Sequence, residues 1–155
     1  MNLPVEVQTS INTLKKAGFA AYAVGGCVRD LLLKRQPKDW DITTSAKPEE
    51  IQKMFPKHFY NNRFGTVTIL TGSRDSTLQE IEVTTYRVDA GYSDQRHPDA
   101  VSFTRNLTED LARRDFTINA MALDEKIIVD PFEGQQDLAA RVIRAVGNPV
   151  ERFQE

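Results

Sequence analysis

The stretch "VGGCVRDLLLKRQPKDWDITT", residues 24–44, joins two glycines to a leucine-rich run and closes on an acid, a tryptophan and a second acid. The apolar "FAAYAV" before it reads as a buried strand, and Val28, Leu31, Leu32 and Leu33 give a helical run from Cys27 to Arg35 that Pro37 cannot continue. "DWDITT" is then the next strand. Side chains alternate faces along a strand, so Asp39 and Asp41 point one way and Trp40 points into the opposite, buried layer. Two acids on one face can share a metal ion. Carboxylate oxygens suit Mg2+, which takes one or two of them and completes its shell with water and substrate phosphate. Gly25 and Gly26, between strand and helix, can bring bare backbone N–H groups up to a phosphate. Separately each half has a bland reading, a tight turn and a solvated strand edge; in this order they point together to phosphoryl chemistry.

Outward from this unit, Val7, Ile11 and Leu14 mark a helix over Val5 to Ala17, with Gly18 as its stop. Pro48, Glu49 and Glu50 open another helix that ends near Phe55. "TVTIL", Thr66 to Leu70, and "EIEVTTYRV", Glu80 to Val88, flank a turn-rich segment and read as an antiparallel hairpin, so the sheet is mixed. The polar run from Asp89 to Ala100 is long for a connection, and "VSFT" is a short strand after it. Leu107 to Leu123 has helical spacing with a break near Asp115. "KIIVDPFEG" is a strand closed by a turn, and "QQDLAARVIRAV" a last helix or a helix and strand.

At 155 residues the chain suits one domain, since a chain of about 150 residues buries roughly 70% of its unfolded surface. A hydrophobic content of 40% and a charged content of 27% exclude disordered and fibrous classes. The net charge of −2 excludes a protein basic all over, while leaving room for a local basic face that meets nucleic acid. Cys27 is the single cysteine, which rules out an internal disulfide and a cysteine-held zinc and fits a cytoplasmic setting. No segment approaches the roughly 20 apolar residues of a membrane span, so no membrane partner is expected.

Here the chain resembles the class II tRNA nucleotidyltransferases and bacterial poly(A) polymerases. "GGCVRDLLL" with "DWDITT" looks like that family's first catalytic signature and "RRDFTINAMA", Arg113 to Ala122, like its second; "EVTTYR" and "DPFEGQQDL" match further stretches. The resemblance implies an α+β fold of the polymerase β type, a mixed, mostly antiparallel sheet with flanking helices. Residues 1–155 would be the catalytic head, ending at "NPVERFQE" where an arginine-containing neck helix should start, which makes a truncated chain the expectation. It implies CCA addition to the 3′ end of tRNA from CTP and ATP, with poly(A) or A-only addition as the alternative and an inert nucleotide-binding module as a reading of another class.

By the same resemblance Asp39 and Asp41 hold two catalytic magnesium ions, Gly26 and Arg29 contact the incoming nucleotide, and Arg114 contacts its triphosphate. Glu82 is the third carboxylate, with Glu80 the runner-up. Arg113 divides evenly between an ion pair and a ligand. Asp115 is expected to orient Arg114 or Arg29, Asp30 to be structural, and His58 and His97 to lie on the surface. The run from Asp89 to Ala100 corresponds to a flexible loop of the family that helps shape the nucleotide site. Arg96 within it divides between substrate contact and a solvated charge.

Overall fold

A computed structural model describes residues 2–61, 64–90, 100–125 and 127–147. Helix α1 (Val5–Lys16) buries Val7, Ile11 and Leu14 and carries lysines in its last turn, where cations suit the negative end of the helix dipole. Strand β1 (Ala21–Val24) leads through Gly25 into α2 (Gly26–Leu32). That helix ends earlier than Pro37 requires, because Leu33 caps it and Lys34 turns into the left-handed region at φ 57°. Strand β2 (Trp40–Thr44) follows, then α3 (Pro48–Met54), which starts on a proline at its first turn.

Strand β3 (His58–Asn61), unforeseen in the sequence, pairs with β4 (Thr66–Leu70), which pairs with β5 (Glu80–Thr85). The expected strand over Glu80 to Val88 is broken at Tyr86. Beyond it β6 (Arg87–Ala90) leaves the main sheet and pairs with β7 (Ala100–Phe103) as a separate two-stranded arm. Asp89, Ala90 and Ala100 are therefore strand residues, and 91–99, with Arg96 and His97, lie outside the described residues. Helix α4 (Leu107–Ala112), capped by the Asn106 side chain accepting from the Glu109 N–H at 3.2 Å, ends just before the break expected near Asp115, and no α-helix resumes over 116–123. A 3-10 turn, Thr117–Asn119, intervenes, and Ala122 and Leu123 belong to β8 (Ala122–Asp124). Strand β9 (Ile127–Val129) and helix α5 (Gly134–Ala140) are the last elements among the described residues; of the strand expected after α5, the described residues show an isolated bridge, Phe116 to Ala145.

The main sheet runs β3-β4-β5-β2-β1-β8-β9, and every pair in it is antiparallel except β2 with β5. This is the mixed, mostly antiparallel α+β architecture expected from the sequence. Alternation gives the central strands two different faces. Trp40, Ile42, Ile81, Val83, Val67 and Ile69 join Ile11, Leu14 and Ile51 in the apolar core, each large side chain contributing roughly 1.5–3 kcal/mol by leaving water. The opposite face carries Asp41, Thr43 and Glu82, and its smaller apolar cluster is built from Val24, Leu111, Ala120, Ala122 and Val146. Among the described residues no helix is long and apolar enough to cross a membrane.

Candidate active site

The acids that the sequence separates by about forty positions meet on the polar face. In the parallel β2–β5 pair Asp41 stands opposite Glu82, and Trp40 opposite Ile81 in the core. Glu80 lies two residues along β5, exposed and opposite Leu70, away from Asp41. Asp39 sits one residue before β2 and is exposed at the rim. Asp41 is held well above the carboxylate range, at about 7. Burial is the first cause, then the Glu82 charge, opposed by the Arg114 guanidinium, with Asp39 adding a smaller push in the same direction as Glu82.

Two carboxylates that repel each other, Asp41 half-buried and Glu82 exposed, fit a hard divalent cation, which would remove that repulsion. Among the described residues no group of three or more His, Cys, Asp or Glu side chains is arranged to hold a metal ion. The acids are a pair with a rim residue, so a cation bound there would take the rest of its shell from water or from phosphate oxygens.

Each glycine of the turn makes room for one arginine. Gly25 has φ +82°, and a Cβ there would lie 3.2 Å from Arg114 Nη1; a Cβ on Gly26 would lie 3.3 Å from Arg29 Nη2. The Gly25 N–H donates to the Met121 carbonyl at 3.2 Å, so Gly25 shapes the turn and is not the bare donor expected from the sequence. Gly26 is the first residue of α2.

Arg29 is held from two sides: Nε and Nη2 reach Asp30 Oδ1 at 3.0 and 2.9 Å, and Nη1 donates to Asn119 Oδ1 at 2.8 Å. Asp30 is thus an ion-pair residue. Asp115 takes neither expected partner directly; its Oδ1 accepts from the Phe116 N–H at 2.7 Å and from Asn119 at 3.3 Å. It touches Arg29 only through Asn119, because the turn at residues 117–119 sets the amide between them.

The acid that pairs with Arg114 is Asp110, which the sequence reading passed over. Asp110 is fully buried; its Oδ1 accepts from the Arg87 backbone N–H at 3.0 Å and from Arg113 Nε at 3.3 Å. Its Oδ2 accepts from Thr43 Oγ1 at 2.9 Å and lies 3.6 Å from Arg114 Nη2. Arg113 is therefore an ion-pair residue. A signal existed: Asp110 precedes Arg113 and Arg114 by three and four positions, the spacing that puts side chains on one helix face. Burial and the neighbouring Arg113 lower the pKa of Arg114 to about 10, still charged at neutral pH, and Asp110 and Asp41 oppose the change.

Two remaining residues are inert. Trp40 is buried in the core, and burial pushes the Cys27 thiol up to about 11, far from a nucleophile. His58 is half-buried on β3, its ring Nδ1 2.6 Å from the Phe55 carbonyl oxygen, and is remote in sequence and sheet order from the acids.

The sequence and fold that carry this site are matched in known proteins. Residues 21–144 match the family model described as the poly A polymerase head domain. The CCA-adding enzyme of Lactobacillus helveticus is 52% identical over 153 residues, covering 97% of this chain and 37% of that protein. The crystal structure of the Bacillus stearothermophilus CCA-adding enzyme in complex with CTP aligns over 99% of this chain and 36% of that one, with TM-score 0.85 and 43% identity. A tRNA nucleotidyltransferase complexed with a primer tRNA and an incoming ATP analog aligns over 94% of this chain and 41% of that one, with TM-score 0.70 and 31% identity. The chain thus spans a little over a third of the length of these relatives. With the family model covering most of the chain and the fold superposing throughout, this protein belongs to the poly A polymerase head domain family.

Proposed function

We propose that this domain is the catalytic head of a template-independent tRNA nucleotidyltransferase that adds CCA to the 3′ end of tRNA from CTP and ATP, with Mg2+ as its metal. The observation that carries the reading is the Asp41–Glu82 pair lying within electrostatic reach of Arg114. Such a site has negative charge for a cation and positive charge for a polyphosphate within electrostatic reach of each other. The relatives' own names supply CCA addition and the nucleotides.

Asp39 and Asp41 would hold the metal, and Glu82 would stand beside them as the third carboxylate. When bound, magnesium would acidify the attacking 3′-hydroxyl and steady the leaving pyrophosphate. Arg114 would grip the triphosphate with a planar fork suited to phosphate oxygens, and its place in a buried pocket strengthens that grip. Arg29, fixed by Asp30 and Asn119 and still about a third exposed, would meet the nucleotide beside Gly26 without a rotamer search. The Gly25 turn keeps both guanidinium groups close to the backbone. A cytoplasmic setting, read from the lone thiol, belongs to the same proposal.

The test places this domain in a chain of the relatives' full length and supplies tRNA ending before CCA, CTP, ATP and Mg2+. Ordered addition of two C residues and one A, lost in Asp41→Asn, is the expected result. Long A tails would instead establish the poly(A) polymerase reading favoured by the family description, and no incorporation would leave an inert nucleotide-binding module.

A further inference from the structure

The geometry points to Asp110 as a positioning residue for nucleotide transfer: a buried carboxylate that fixes the Arg114 fork relative to the metal-holding strand. The inference rests on the nucleotidyltransferase reading above. Asp110 has no exposed surface, so it cannot touch a substrate. Its four contacts come from three separate parts of the site. Thr43 Oγ1 is on β2, two residues beyond Asp41; the Arg87 N–H is at the root of the β6–β7 arm; Arg113 and Arg114 follow α4.

The three guanidinium groups repel one another, as the influence of Arg113 and Arg87 on Arg114 shows. One carboxylate among them leaves an excess of positive charge for a polyanion while setting where the Arg113 and Arg114 forks stand. Arg114 Nε is buried and makes no hydrogen bond among the described residues, so its ion pair with Asp110 is what fixes that side chain against Gly25. Thr43, itself fully buried, ties the carboxylate to the strand of Asp41. The distance between metal-held phosphate and Arg114-held phosphate would thus be set through Thr43 and Asp110.

Positioning and simple charge neutralisation predict opposite results. Asp110→Asn keeps the size and one acceptor and removes the charge. If Asp110 only neutralised the cluster, this variant would bind triphosphate more tightly. If it positions Arg114, triphosphate binding falls while monophosphate binding holds. The measurement is calorimetric affinity of this chain for CTP and for CMP, each with Mg2+. We expect the CTP-to-CMP affinity ratio to fall at least tenfold in Asp110→Asn. An unchanged or raised ratio in the folded variant overturns the inference while leaving the nucleotidyltransferase reading intact. A wild-type chain with no preference for CTP over CMP overturns both. Should Asp110→Asn fail to fold, the pair Thr43→Val and Thr43→Ser decides: the ratio should fall in the first, which lacks the hydroxyl, and be kept in the second. Equal ratios in both overturn the inference.

Discussion

Asp41→Asn should make the protein more stable at neutral pH while it abolishes nucleotide transfer. The folded chain holds the Asp41 carboxyl at about 7 against an ordinary 3.8, through burial and the Glu82 charge. Below about pH 3.8 the group is protonated in both folded and unfolded chains, and asparagine should match it. As the pH rises through 3.8 the unfolded chain gains by ionising and the folded chain does not, so wild type loses stability until the folded pKa is passed. The gap between 3.8 and about 7 corresponds to ~4 kcal/mol at the usual conversion. Asp41 is partly open to water, whose screening reduces this to about 1–2 kcal/mol, or roughly 3–6 °C in Tm for a chain of this length. Thermal unfolding of both proteins without metal from about pH 4 to 8 should show the difference in Tm opening across that range and then levelling. A difference independent of pH, or a variant less stable than wild type at pH 8, would refute the view of Asp41 as a desolvated acid pressed against Glu82. Added Mg2+ should raise the Tm of wild type more than that of the variant, because the variant has lost a ligand charge.

Glu82→Gln should lower single-turnover transfer strongly while Glu80→Gln barely alters it, because only Glu82 stands opposite Asp41; the reverse pattern would show that the wrong carboxylate was assigned. Gly25→Ala should cost roughly 1–3 kcal/mol from its φ of +82° and weaken CTP binding by crowding Arg114; denaturant unfolding and calorimetry on one preparation check both. The chain by itself should bind CTP, ATP, UTP and GTP with Mg2+ at similar, weak affinity. The contacts proposed above would grip phosphate and sugar, whereas base edges are told apart by placed donors and acceptors worth roughly 1–3 kcal/mol per bidentate pair. A preference for CTP and ATP over UTP beyond about tenfold, or 1.4 kcal/mol, would show that the head selects the base.

The readable parts of this fold were those where local chemistry and tertiary packing agree. Residues 21–44 present an apolar strand, a glycine turn, a leucine run and an alternating acid pair, and the structure keeps each element with small changes of boundary. Strand β3 escaped because "HFYN" is short and leaves Phe59 and Tyr60 exposed at a sheet edge, so no period of two shows in its hydrophobicity. The helical spacing over 107–123, read with a break near Asp115, misleads beyond that break for the opposite reason. Its apolar residues are core residues of three different elements, a helix, a 3-10 turn and a strand, that happen to fall at helical spacing. Asp110 was overlooked because an acid in the first turn of a helix reads as a solvated residue favoured by the dipole, whereas here the arm and the Arg113–Arg114 turn close over it. Asn119 and its bond to Arg29 span ninety positions, and nothing local in "TIN" announces a long-range partner.

The one parallel pairing in the sheet governs when this site comes into being during folding. Hairpins such as β4–β5 close over short loops, and helices form from neighbouring residues, but β2 and β5 meet only after α3, β3 and β4 have been laid down between them. A pairing across some forty positions carries more loop-closure entropy than the β4–β5 hairpin and less than β1 with β8, whose partners lie about a hundred positions apart. Asp41 and Glu82 are on its two sides. The like-charge cost of bringing them together therefore falls on this pairing, and a cation bound between them would offset it. Refolding in the presence of a divalent ion should be faster than refolding without it.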